Sequence, residues 1–255
     1  RGPEAARRKD RVQDLLNLHD VYRALLKARE VRGAVDFETT ETQIICDENG
    51  RIEKIVPRVR TEAHRLIEEA MLAANVCAAD FIERAKHPAL FRVHEGPTPE
   101  KRQILTNYLR TMGVSASLSD DPKPAELQFI AQSTRDRPDA AQIHQMLLRS
   151  MQQAIYTPVN SGHFGLAYDA YAHFTSPIRR YPDLLVHRVL KALLQGKRYH
   201  FQAPGVVTPA PARGRRKPPE SEAWEGAGNH CSANERRADE ASRDVEAWLK
   251  CRFMR

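Results

Sequence analysis

Several common signatures are missing from this sequence, and each absence narrows what it does. The four cysteines, Cys46, Cys77, Cys231 and Cys251, lie far apart with no CxxC pair. They spell out no disulfide framework and read as the reduced thiols of a cytoplasmic protein. The ten histidines include no HxxxH pair and no Cys/His cluster, which argues against a zinc site. No apolar run approaches the roughly 18–20 residues of a membrane span, and the N-terminal "RGPEAARRKD" has no hydrophobic signal core. A soluble protein with no membrane partner is therefore expected. There is also no GxGxxG, GKS/T or GxSxG element, which removes the common nucleotide folds and the serine hydrolases.

What is present is enough apolar residue for a real core, 41% of 255 positions, in one large domain or two small ones. Forty basic against 33 acidic residues give a net charge of +7, which favours an anionic partner, nucleic acid or acidic lipid. The chain starts without Met inside a charged helical run, as a piece of something longer would.

Apolar residues at helical spacing from Val12 to Leu26 predict an amphipathic helix over 9–32, stopped by Gly33. Alternation around the Asn49-Gly50 turn predicts a hairpin near 34–38, 42–46 and 51–56. A long helix is expected over 61–86, another over 98–112, and two over 124–155 broken near "RDRPDAA". Phe164, Leu166 and Tyr168 alternate as in a strand, a helix resumes over 183–195, and residues 203–219, with five prolines, read as a flexible insertion. Ser232 and Glu235 have capping-box spacing and predict the start of the last helix. The fold class is a helix-rich α/β (α+β) body with few strands.

The densest chemistry lies in "YAHFTSPIRRYPDLLVHR", residues 171–188. Pro177 presets φ at the start of a turn and Pro182 restricts Tyr181, so Arg179 and Arg180 sit on a short, stiff segment. Preorganised guanidinium groups suit phosphate, but they would serve equally well as ion-pair partners of Asp183 or of acids on the last helix. On the long helix, His64, Glu68 and Asn75 fall within about 40° of one another, while Glu69 lies about 100° from Glu68. Glu68 thus belongs to a polar stripe that can accept from ribose hydroxyls or pair with Arg65. Phe37 either stacks on a base or fills core.

Taken in order, "LIEEAMLAANVCAADFI", "HPALFRVHEGP", "DRPDAAQIHQMLLRSMQQAIYTP", "GHFGLAYDAYAHFTSPIRRYPDLLVHR" and "HCSANERRADEASRDVEAWLKCRF" resemble the catalytic RNB domain of the ribonuclease II family, in its ribonuclease R branch. The resemblance runs from about residue 12 to the C-terminus and implies a processive exoribonuclease. Such an enzyme degrades single-stranded RNA from the 3′ end, as a monomer, to nucleoside monophosphates, with Mg²⁺ held by clustered aspartates. It implies that Arg179 contacts the reacting phosphate and that Arg180 positions phosphate or RNA. Glu68 would hold the terminal nucleotide, with Glu69 and Tyr181 on the substrate side, and Phe37 would close the stack of bases. Asn75, His173 and Glu240 are implied as supports, Glu240 as an orienter of the arginine, although Ser242 stands where some members carry a glutamate.

One departure matters. The family's DxxxxxDDA-like metal cluster has no counterpart here: Asp120-Asp121 sits in a Pro-flanked loop and Asp47 in the hairpin turn. The expectation is a partial RNB domain over 1–255, with the Mg²⁺ ligands upstream, flanking OB-folds absent and a Pro/Arg-rich insertion at about 201–220. This stretch alone should not degrade RNA. A non-catalytic RNA-binding remnant and a structural scaffold are the alternatives.

Overall fold

The computed structural model describes residues 2–35, 42–201 and 220–254. Phe37 and nearly all of the Pro/Arg-rich stretch lie outside the described residues. The elements in chain order are α1 (Pro3–Arg7), α2 (Val12–Arg32), β1 (Thr42–Cys46), β2 (Ile52–Pro57), α3 (Glu62–Arg84), β3 (Phe91–Val93), α4 (Pro99–Thr111), α5 (Pro124–Ser133), α6 (Ala140–Ser150), β4 (Ile155–Thr157), α7 (Tyr181–Leu194) and α8 (Glu220–Phe253). Among the described residues the fold is helix-rich, with two antiparallel two-stranded sheets, β1-β2 and β3-β4. Among the described residues no helix is long and apolar enough to cross a membrane.

Local chemistry explains most boundaries. Gly33 ends α2 in the left-handed region at φ 80°, and a Cβ there would lie 2.9 Å from that of Ala125, so glycine also allows α2 to meet α5. The β1-β2 turn is held by Asp47, whose Oδ1 accepts from the backbone N–H groups of Asn49 and Arg51. Thr98 caps α4 by accepting from Lys101 N–H, and Pro99 follows at the first helical position. Glu126 reaches back from α5 to the N–H groups of Lys123 and Ser119, each at 2.8 Å, and fastens the preceding loop.

Two apolar cores form. The first joins Ala79 and Ile82 of α3, Leu90 and Phe91, Tyr156 of β4, Leu185 and Val189 of α7, and Trp224 of α8. The second is built by α4, α5 and α6 through Leu105, Leu109, Leu127, Ile130, Ile143 and Leu147, all essentially inaccessible.

Four sequence expectations are corrected. The first half of α2 does not bury its apolar stripe: Leu15, Leu16 and Leu18 are exposed, and Tyr22 and Arg29 are the buried positions. Phe164–Leu166 is a 3₁₀ turn, not a strand, because His163 caps it by accepting from Leu166 N–H. Two short strands went unread, β3 and β4, and the second of the two helices expected over 124–155 ends at Ser150, so that Ile155 opens β4. The last helix starts at Glu220 rather than at Ser232. Ser232 is buried in mid-helix, where its Oγ donates to Gly228 O at 2.8 Å and accepts from Tyr156 N–H at 2.9 Å. Gly228 completes that seam: a Cβ on it would lie 2.5 Å from Tyr156 O, so no larger residue lets α8 lie so close to β4.

Candidate active site around the arginine turn

The segment leading into α7 is fixed by side chains from the distant α3 and from α7 itself. Asn75 of α3, 2% exposed, accepts through Oδ1 from the N–H groups of Phe174 (2.9 Å) and Thr175 (3.2 Å), and its Nδ2 donates to the Tyr171 hydroxyl at 2.8 Å. Asp183, in the first turn of α7 and fully buried, accepts through Oδ1 from Ser176 N–H and from Arg180 Nη2, both at 2.7 Å. The carbonyl of Ser176 then accepts from the backbone of Arg179 (3.3 Å) and Arg180 (3.0 Å). His187 of α7 donates through Nε2 to Phe174 O at 2.9 Å and stacks on the Phe174 ring at 4.2 Å. Three successive N–H groups, 174 to 176, are consumed by side-chain oxygens, so they offer an anion nothing. What this stretch presents is a side chain.

That side chain is Arg179. It is exposed, and its guanidinium has no hydrogen-bond or ion-pair partner among the described residues. Arg180, one residue on, is held by Asp183, so the sequence left two readings open and neighbouring residues take one each: Arg180 is the ion-pair partner, and Arg179 stays available for an anion. Both line a cavity of about 910 Å³, together with Tyr156, Tyr181, Glu235 and Asp239.

Around them the imidazoles of His163 and His173 and the Tyr156 phenol stay neutral. His173 lies with Nδ1 2.8 Å from the Tyr156 hydroxyl, and its pKa is pushed down to about 3, first by burial and then by Arg180 and Arg92. His163 is likewise pushed down to about 3, by burial and then by His94 and Arg92. Burial raises the Tyr156 phenol, which keeps its proton and donates to Glu235 Oε1 at 3.3 Å. Glu235 also accepts from Arg92 Nη1 at 2.6 Å, and the Arg92 guanidinium lies over the Tyr156 ring at 4.6 Å.

The other residues singled out in the sequence fall in different places. Tyr181 lines the cavity at the edge of the first core. Glu68 is partly exposed on α3, and its carboxylate takes Arg60 Nε at 3.2 Å. Glu69 is corrected: at 4% exposure it has almost no surface to offer a substrate, and it ties α3 to α2 through Arg29 at 2.7 Å. Asn75 acts on the backbone of the turn, not on a ribose. Glu240 is corrected as well. It is exposed, and the α8 acids that line the cavity are Glu235 and Asp239; Glu240 follows Asp239 by about 100° of helix. Arg92, Tyr156 and Glu235 were missed because no local pattern links positions 92, 156 and 235. The "SANE" spacing touched Glu235, but as a cap.

A helix-rich α/β body that displays an unpaired guanidinium on the Pro-bounded turn leading into α7 defines the class: the RNB domain model matches residues 1–196, and the chain belongs to the RNB domain family. The match ends just after α7. Among relatives, the chain is 47% identical over 254 residues to ribonuclease R of Escherichia coli strain K12, covering 95% of this chain and 29% of that one. It thus spans less than a third of the length of that relative. The fold is similar to Mycoplasma genitalium RNase R in complex with double-stranded RNA, with TM-score 0.79, 25% identity, and coverage of 92% of this chain and 40% of that one. The same enzyme in complex with ribose methylated single-stranded RNA matches with TM-score 0.79, 24% identity, and coverage of 94% and 36%.

Proposed function

We propose that these residues are the arginine-bearing part of a cytoplasmic, monomeric exoribonuclease that hydrolyses single-stranded RNA processively from the 3′ end and releases nucleoside monophosphates. The observation that carries this reading is the unpaired, exposed guanidinium of Arg179 on a turn whose backbone is pinned by Asn75 and Asp183. In an in-line displacement at the last phosphodiester, negative charge builds on the phosphoryl oxygens while the bond to the leaving 3′ oxygen breaks. A planar, permanently charged group already fixed in place stabilises that charge with little reorganisation. Tyr181 borders the same cavity, and Glu68 offers a carboxylate to ribose hydroxyls if Arg60 yields it. Membership of the RNB family and 47% identity to a ribonuclease R support the assignment.

Mg²⁺, implied by the family, would supply the activated water and neutralise phosphate charge. Among the described residues no three His, Cys, Asp or Glu side chains converge as a cation cage requires. These residues do not fit the ion.

The test is Arg179→Ala in the full-length protein, assayed with Mg²⁺ on a 3′-tailed RNA. Turnover should fall about 10²–10³-fold while RNA affinity changes far less. Unchanged turnover would remove Arg179 from the mechanism. A full-length protein that binds RNA and never cleaves it would return the reading of a binding remnant. In the same assay the 255-residue chain alone should release no monophosphates.

A further inference from the structure

We propose that Asp183 is a positioning residue for Arg179: its carboxylate decides which of two adjacent guanidinium groups is held and which is delivered to the substrate. The proposal rests on the functional reading of Arg179 given above. Two bonds connect the residues. Asp183 Oδ1 accepts from Ser176 N–H at 2.7 Å, and Ser176 O accepts from Arg179 N–H at 3.3 Å and Arg180 N–H at 3.0 Å. The same oxygen takes Arg180 Nη2 at 2.7 Å, while Oδ2 makes no hydrogen bond among the described residues. All of the acceptor work of this buried carboxylate is therefore spent on the turn and on Arg180.

The electrostatics point the same way. Two guanidinium groups on consecutive residues repel each other and compete for one phosphate. A fully buried carboxylate cannot stay unpaired without a large desolvation cost, so it captures the arginine it can reach from the first turn of α7. The helix N-terminus adds its own stabilisation of the negative charge. With Arg180 neutralised and folded back, Arg179 is the charge left to meet an anion, on a backbone whose angle is set by Ser176. Through this chain Asp183 acts on the reaction without touching substrate.

Asp183→Asn separates the two tasks: an amide oxygen still accepts from Ser176 N–H, but the charge that holds Arg180 is gone. The experiment is a double-mutant cycle in the full-length protein with Mg²⁺ and a 3′-tailed RNA, using Asp183→Asn, Arg179→Ala and both together. We expect Asp183→Asn to lower kcat about 10-fold or more with KM within about twofold of wild type, and the double variant to be no slower than Arg179→Ala alone. Losses that multiply in the double variant, or an Asp183→Asn enzyme with unchanged kcat, would overturn the proposal and leave the role of Arg179 standing. An Arg179→Ala enzyme of normal turnover would overturn both. Should Asp183→Asn fail to fold, Arg180→Lys carries the same cycle: it keeps a charge for Asp183 but loses the planar fork, and the same non-additivity is expected.

Discussion

The arginine turn and the α4-α5-α6 unit are both rigid parts of this molecule, and they are rigid for opposite reasons. The helical unit is held by apolar volume: Leu105, Leu109, Leu127, Ile130, Ile143 and Leu147 interlock at helical spacing on three neighbouring helices. The turn is held by oxygen atoms borrowed from residues 75 and 183, and the segment before it by a hydroxyl from residue 156, each directed at a particular donor or ring nitrogen. Close packing tolerates exchange of one apolar side chain for another of similar volume, whereas a hydrogen-bonded turn depends on single atoms. A site that must hold one guanidinium still while leaving it unpaired needs the second kind of support. Apolar packing cannot specify which of two adjacent arginines is free.

The contrast can be broken by perturbing each region and asking whether the other responds. The largest effect is expected in the apolar unit, where Leu127→Ala should destabilise the protein by about 2–5 kcal/mol, measured by urea unfolding. The ¹⁵N signals of His173 should not move, because the turn takes none of its hydrogen bonds from that core. Movement of those signals would show that the two regions are one cooperative network.

Acid should strike the polar region next. His163 and His173 are neutral in the fold with pKa values near 3, against 6.5 in the unfolded chain. The unfolded state therefore binds more protons between these values, so their contribution to stability is complete above pH 6.5 and is lost as the pH falls towards 3. By pH 5.5 the two rings together should cost about 3 kcal/mol. Replacing both by Gln should flatten the pH dependence of thermal unfolding in that window. A slope that persists in the double variant would assign it to other groups.

The smallest change should come from the surface pair. Glu68→Gln removes a partly exposed ion pair with Arg60 and should shift stability by less than about 1 kcal/mol. If Glu68 also seats the terminal nucleotide, RNA affinity of the full-length protein should fall in that variant while stability hardly moves. A large loss of stability would class Glu68 with its buried neighbour Glu69.

How much was legible in the sequence follows the same division. The helices of the apolar unit, the long α3 and the Asn49-Gly50 hairpin could be read because periodicity and turn chemistry are local properties. Arg179, Tyr181 and Asn75 could be singled out from motif spacing and resemblance. What Asn75 does could not, since its partners lie about a hundred residues away. Glu69 was put on the substrate side by resemblance alone, although the helical wheel set it about 100° from Glu68, and neither shows what the tertiary structure does: Arg29 of α2 covers it. The phase of α8 was misread for a related reason. "SANE" looks like a helix start, yet Ser232 serves β4, and the helix continues upstream because Gly228 and Trp224 pack against the first core.

The sequence by itself determined the helix-rich class, the family and the stiff Pro-bounded segment that carries two arginines, because composition, periodicity and proline geometry act over a few neighbouring residues. The division of labour between Arg179 and Arg180 was decided only by tertiary structure. It depends on a carboxylate held in a dry interior at the start of α7, and no local pattern states which charge such a carboxylate will meet.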